Sequence, residues 1–159
     1  MSRAAPQKGL MPSILDRLID ADSEGTNWKH GYDLQQIVDT VRRDLEDLLN
    51  SHPPYYDIPA EWSETSRSLL TFGLPDFNSI QTTDREELAR LIEHVVERFE
   101  PRLRNVRARV VGGADAKDRT VRFHIEAQIN ADPAPEVAFE TILELSTGHT
   151  TIQSSETPA

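Results

Sequence analysis

A chain of 159 residues with a formal charge of -10 and no cysteine is long enough for one domain with a sizeable core, and it holds neither disulfides nor thiolate chemistry. Its acidity excludes general nucleic-acid binding, which draws its affinity from basic groups that displace counterions from phosphates. No apolar run nears the roughly 20 residues that span a bilayer, and the first ten residues lack the apolar centre of a secretory signal. The expectation is a cytoplasmic protein without direct membrane insertion: a flexible leader at 1–9, a single domain at 10–146 and a polar flexible tail at 147–159.

The first patterned stretch is LMPSILDRLID, where Pro12 suits an opening helical turn and Ile14, Leu15, Leu18 and Ile19 form an apolar stripe. After the loop ADSEGTNWKHGY, the residues Leu34, Ile37, Val38, Val41, Leu45, Leu48 and Leu49 recur at helical spacing up to Asn50. Arg42, Arg43, Glu46 and Asp47 mark the polar face. The proline-rich HPPYYDIPAEW then leads to one or two helical turns in SETSRSLLTF, stopped by GLPDFNSI. A further helix begins at a Thr83 or Asp84 cap, carries Glu86 and Glu87 in its first turn, and lines one face with Leu88, Leu91, Ile92, Val95, Val96 and Phe99.

Beyond Pro101 the period falls from nearly four to two. Val106, Ala108 and Val110 alternate with Arg107 and Arg109, and past GGADAKD the residues Val121, Phe123, Ile125, Ala127 and Ile129 alternate with Arg122, His124, Glu126 and Gln128. A turn at ADPAP introduces Val137, Phe139, Thr141, Leu143 and Leu145. Helices followed by strands give an α+β fold: N-terminal helices, then a three-stranded antiparallel β meander.

Known catalytic constellations find little support. Glycoside hydrolysis needs two carboxyl groups across a cleft, one of them in an apolar pocket, whereas the carboxylates here fall on polar faces and in loops. The five histidines are scattered without metal-ligand spacing, and no nucleophile elbow or phosphate-binding loop is present. No catalytic, cofactor or metal residue is therefore assigned.

The unusual feature lies in IEHVVERFEPRLRNVRARV. Five arginines and one glutamate between Arg98 and Arg109 make a local +4 in an otherwise strongly acidic chain. Pro101 cannot donate a helical hydrogen bond and disfavours helix at Glu100, so the helix ends near Phe99. The charge has two readings on these residues alone. One is a local pairing of Glu100 with Arg102 or Arg104 near a helix C-terminus; the other is a docking site for an acidic or carbonyl-rich partner, formed by Glu100, Pro101, Arg102, Arg104, Arg107 and Arg109.

MPSILDRL, VRRDLEDLLNS, SLLTFGLPDFNSI and LARLIEHVVERFEPRLRNVRARV, in this order and followed by a β meander, resemble TssE, the baseplate subunit of type VI secretion systems, and the related phage baseplate wedge proteins once called lysozyme-like. The resemblance implies a non-enzymatic assembly role: docking on the wedge subunits TssF and TssG, with TssK more peripheral, and initiating the contractile TssB/TssC sheath. It also implies that Glu-Pro-Arg is the wedge-docking signature and that the C-terminal strands accept strands from a neighbour. The alternative carried by the old label is a peptidoglycan-cleaving hydrolase. Two consequences are expected: Arg102→Lys weakens wedge binding at little cost to the isolated domain, and deletion after Ser146 leaves the fold intact.

Overall fold

The computed structural model describes residues 12–19, 32–54, 58–59, 61–75, 85–111 and 120–155. The leader, most of the first loop, the Thr83 or Asp84 cap and the GGADAKD turn lie outside the described residues. The helices are α1 (Ile14–Ile19), α2 (Leu34–Asn50), α3 (Ser63–Ser66) and α4 (Arg85–Phe99), with a 3-10 turn at Leu69–Thr71. The strands are β1 (Leu103–Val110), β2 (Thr120–Ile129), β3 (Glu136–Glu144) and β4 (Thr150–Ser155).

α2 starts where a reciprocal capping box satisfies two backbone donors: the Gln36 N–H donates to Asp33 Oδ1 at 2.8 Å and the Asp33 N–H to Gln36 Oε1 at 2.9 Å. Its stripe of Ile37, Val41, Leu45, Leu48 and Leu49 is buried, as are Leu88, Ala89, Ile92, Val95 and Val96 of α4. Both helices pack on one face of an antiparallel sheet in the order β1-β2-β3-β4, with α4 against β1 and α2 against β4. Phe123, Ile125, Phe139 and Leu143 fill the space between, each contributing roughly 1.5–3 kcal/mol by leaving water. The opposite face of the sheet meets solvent with its charged residues.

The meander has four strands, not three. Residues assigned to a flexible tail form β4, which pairs with β3 through Thr141 opposite Ile152 and Leu143 opposite Thr150. β3 is therefore an inner strand, and among the described residues the sheet edges are β1 and β4. Deletion after Ser146 would remove an edge strand whose Ile152 and Thr150 are buried, so the expectation of an intact fold is replaced.

Two local departures have physical causes. β1 carries a bulge between Arg104 and Arg107, where Asn105 takes φ 54° and donates its side-chain amide to Gln128 Oε1 at 2.9 Å. The extra residue puts Arg104 and Asn105 both outside and restores Val106 to the core. In the FGLP stretch Gly73 has φ 113°, and a Cβ there would lie 2.0 Å from Ser51 O, the atom that accepts the Leu74 N–H. Gly73→Ala is thus expected to lower stability by about 2 kcal/mol, the cost of backbone strain plus a steric shift; a melt matching the wild type would show that this connection yields freely.

Candidate docking site at the helix-to-strand corner

α4 ends as the proline rule requires: the Glu100 N–H still donates to Val96 O at 2.9 Å, and the Leu103 N–H closes the corner on Glu100 O at 3.1 Å. The Glu100 side chain is buried, and Arg102 grips it with both arms of the guanidinium, Nε to Oε1 at 2.7 Å and Nη2 to Oε2 at 2.6 Å. The Arg102 N–H adds a third bond to Oε1 at 3.1 Å. This planar fork is the strong form of carboxylate recognition.

The pair is the centre of a larger network. Arg102 Nη2 reaches Asp44 Oδ2 at 2.6 Å, and its Nη1 lies 3.8 Å from Asp16 Oδ2. Arg43 completes the ring, bonding Asp16 Oδ1 at 2.6 Å and Asp44 Oδ1 at 2.7 Å. Three carboxylates thus share two guanidinium groups. Burial pushes the Arg102 guanidinium toward losing its proton, but Glu100 first and then Asp44 outweigh this and raise its pKa above the ordinary arginine value.

Asp16 turns the meaning of α1 around. The apolar stripe of the helix points out, with Ile14 71% and Leu18 78% exposed, while Asp16 between them is 3% exposed. Ser13 caps the helix, since the Asp16 N–H donates to Ser13 Oγ at 3.1 Å and the Ser13 N–H to Asp16 Oδ2 at 2.8 Å. The capped Asp16 then anchors α1 on the corner through Arg43 and Arg102.

Burial raises the Asp16 pKa, but bonds from Arg43 and Ser13 prevail and hold it below the ordinary 3.8. Because the folded value is depressed, the stabilisation is fully present above pH 3.8 and is lost as pH falls through the lower folded value. Asp16→Asn is expected to be less stable than the wild type at neutral pH, with the gap between their melts constant down to about pH 3.8 and narrowing only below it. A constant gap across an acid titration would mean that charge is not what holds α1.

Beside the network runs a groove of about 610 Å³, lined by Leu15, Leu48, Phe72, Phe99 and Pro101, with Asp44, Asp47, Glu100 and Arg102 on its polar side. Phe72 and Phe99 meet edge to face, with centroids 5.3 Å apart. The six singled-out residues divide between two places. Glu100, Pro101 and Arg102 form this corner, whereas Arg104, Arg107 and Arg109 stand exposed on the outer face of β1, Arg109 with an ion pair to Glu126 at 3.4 Å.

The fifth arginine, Arg98, lies over the Phe99 ring at 5.4 Å. Arg102 donates inward to this protein's own carboxylates, so the expectation that Arg102→Lys costs the isolated domain little is replaced by one of a weakened domain. Asp16, Arg43 and Asp44 were not foreseen, although the Ser13-x-x-Asp16 pattern is a legible capping signal. Among the described residues, no three His, Asp or Glu side chains are placed to hold a metal ion, and no helix is long and apolar enough to cross a membrane.

Comparison with curated proteins and with solved structures returns no match. Residues 35–134 match the family model of baseplate wedge protein gp25, a span that takes in most of α2, all of α4, the Glu100-Pro101-Arg102 corner and the first two strands. That span is more than half of the sequence, and the chain belongs to the gp25 family of baseplate wedge proteins, structural subunits of phage-like baseplates.

Proposed function

We propose that this protein is a non-enzymatic, cytoplasmic subunit of a type VI secretion baseplate, docking on the TssF/TssG wedge, with TssK peripheral, and initiating the TssB/TssC sheath. The observation that carries the docking half is the anchored exposure of α1: a partly buried ion network fixes a short helix whose Ile14, Leu15, Leu18 and Ile19 remain exposed beside an apolar groove. A monomer gains little from that arrangement, because apolar stripes are ordinarily buried, and apolar surface presented on a rigid support is what an interface uses. In this reading Glu100 and Arg102 position the docking surface, Pro101 lines it, and Arg104, Arg107 and Arg109 meet acidic partner groups.

The hydrolase alternative is disfavoured by the same geometry, since Asp16, Asp44 and Glu100 are each held by a guanidinium, so that the two of them lining the groove, Asp44 and Glu100, are engaged as ion-pair partners and not poised across it as an acid and a nucleophile. Leu18→Glu tests the docking reading. It is expected to melt as the wild type does and to lose co-purification with TssF and TssG, and retention of both subunits would refute the surface. Release of muropeptides from peptidoglycan, abolished by substituting one of these carboxylates, would restore the enzyme reading.

A further inference from the structure

We propose that an incoming sheath strand adds to the free edge of β1, not of β4, that Glu93 is the side chain it displaces, and that this strand carries acidic residues at alternate positions. This rests on the sheath-initiating reading above. The edges are distinguished by what already occupies their backbone groups.

On β4, the Glu144 N–H donates to His149 O at 2.9 Å, so the alternation of an antiparallel ladder turns residues 149, 151 and 153 toward β3 and residues 150 and 152 away from it. Those outward groups are taken by α2. The Thr150 N–H donates to Asn50 Oδ1 and Thr150 O accepts from Asn50 Nδ2, both at 2.8 Å, so one amide mimics a neighbouring strand. One and two turns earlier on α2, Glu46 accepts the Ile152 N–H at 3.4 Å and Arg42 donates to Ile152 O at 3.5 Å. A strand at this edge would have to break four such bonds, two of them to the single amide of Asn50.

On β1, the Val111 N–H donates to Arg122 O at 2.8 Å, so residues 107 and 109 face β2 while residues 106, 108 and 110 face outward. The Ala108 N–H donates to Glu93 Oε1 at 2.8 Å, placing a carboxylate oxygen where the carbonyl of an added strand would sit. Val106 O accepts from Arg107 Nη1 at 3.1 Å. Both plugs are ends of flexible side chains that water can receive, and a groove of about 350 Å³ lies alongside, lined by Glu86, Ala89, Arg90, Ala108, Arg109 and Val110. Such plugs are how natural edges resist indiscriminate pairing while staying open to a chosen partner.

The partner's chemistry follows from register. Side chains of an added strand alternate between the outer face, beside exposed Arg107 and Arg109, and the inner side, beside Ala89 and Val110. Asp or Glu suits the first set and small apolar residues the second.

The test measures how fast the full-length protein seeds tubes from purified TssB/TssC, followed by light scattering and microscopy, with melts run in parallel. The double variant Arg107→Gln/Arg109→Gln, which adds no like charge beside Glu126, is expected to melt close to the wild type and to seed about tenfold more slowly, because the incoming acidic strand then meets no positive charge. Glu93→Ala, which frees the Ala108 N–H, is expected to seed faster. Thr151→Glu/Gln153→Glu, exposed on β4, is expected to seed as the wild type does. If the β1 double variant seeds normally, or the β4 pair alone is crippled, the edge assignment is overturned while the initiator reading survives. If the wild type seeds nothing, the initiator reading falls and takes this assignment with it.

Discussion

Glu100→Ala is expected to destabilise the isolated protein by about 3–5 kcal/mol, the range found when one member of a buried ion pair is removed and the other is left without its partner. The Glu100 side chain is only 6% exposed and takes three hydrogen bonds from Arg102, so its loss strands a guanidinium that was desolvated to meet it. Arg102→Ala is expected to cost as much, because it frees Glu100 and Asp44 together and loosens Asp16. Arg102→Lys keeps the charge but cannot satisfy Glu100 and Asp44 from one plane, and about 2 kcal/mol is the corresponding expectation. Chemical denaturation of the isolated chain checks all three. A denaturation midpoint of Arg102→Lys equal to wild type, combined with lost TssF/TssG binding, would return Arg102 to the role of a direct contact. Lost binding in proportion to lost stability, restored by cooling, would mark it as a positioning residue.

The corner was half legible in the sequence. A proline after Phe99 in a well-patterned helix announces a stop, and Glu100 beside Arg102 announces a pair, because both are local statements about a few consecutive residues. What completes the pair comes from 58 positions away in the case of Asp44 and from the first turn of α1 in the case of Asp16, and charges on a helix face carry no mark of whether they meet water or each other. The stripe of α1 misleads for a related reason. Helical periodicity shows that one side is apolar without saying that this side faces the chain's own core, and in a short helix the buried aspartate had no weight against four aliphatic residues. Periodicity placed α2, α4 and the first three strands because each buries a run of apolar side chains, although Leu34 and Leu145, counted with those runs, are exposed. β4 escaped because its buried positions include Thr150, and its only large apolar side chain is Ile152 in a stretch of serine, threonine and glutamine. Its order comes from partners elsewhere, the β3 ladder and the Asn50 amide, and such partners are invisible in a local window.

The other large effect expected is from ending the chain at Ser146. Ile152 is 3% exposed, and burial losses at such a site are about 2–5 kcal/mol even when only the side chain is trimmed to alanine. Truncation removes in addition the whole β3–β4 ladder, from Ala138 opposite Ser155 to Leu143 opposite Thr150, together with the bonds that Asn50, Glu46 and Arg42 make to β4. Against a net stability of about 5–15 kcal/mol for an ordinary domain, losses of this kind taken together are enough to abolish cooperative folding. The exposed β3 edge would also be long and apolar on one face, which favours aggregation. Residues 1–146 are therefore expected to be insoluble or to lack a cooperative melt, whereas Ile152→Ala and Asn50→Ala in the full chain should melt cooperatively with stabilities lowered by about 3 and 2 kcal/mol. The Asn50 variant separates the two contributions, since it leaves the ladder to β3 and the buried isoleucine in place and deletes only the helix's grip on Thr150. A soluble 1–146 fragment with the wild-type melting temperature would mean that β3 serves as an edge and that β4 is dispensable to the domain.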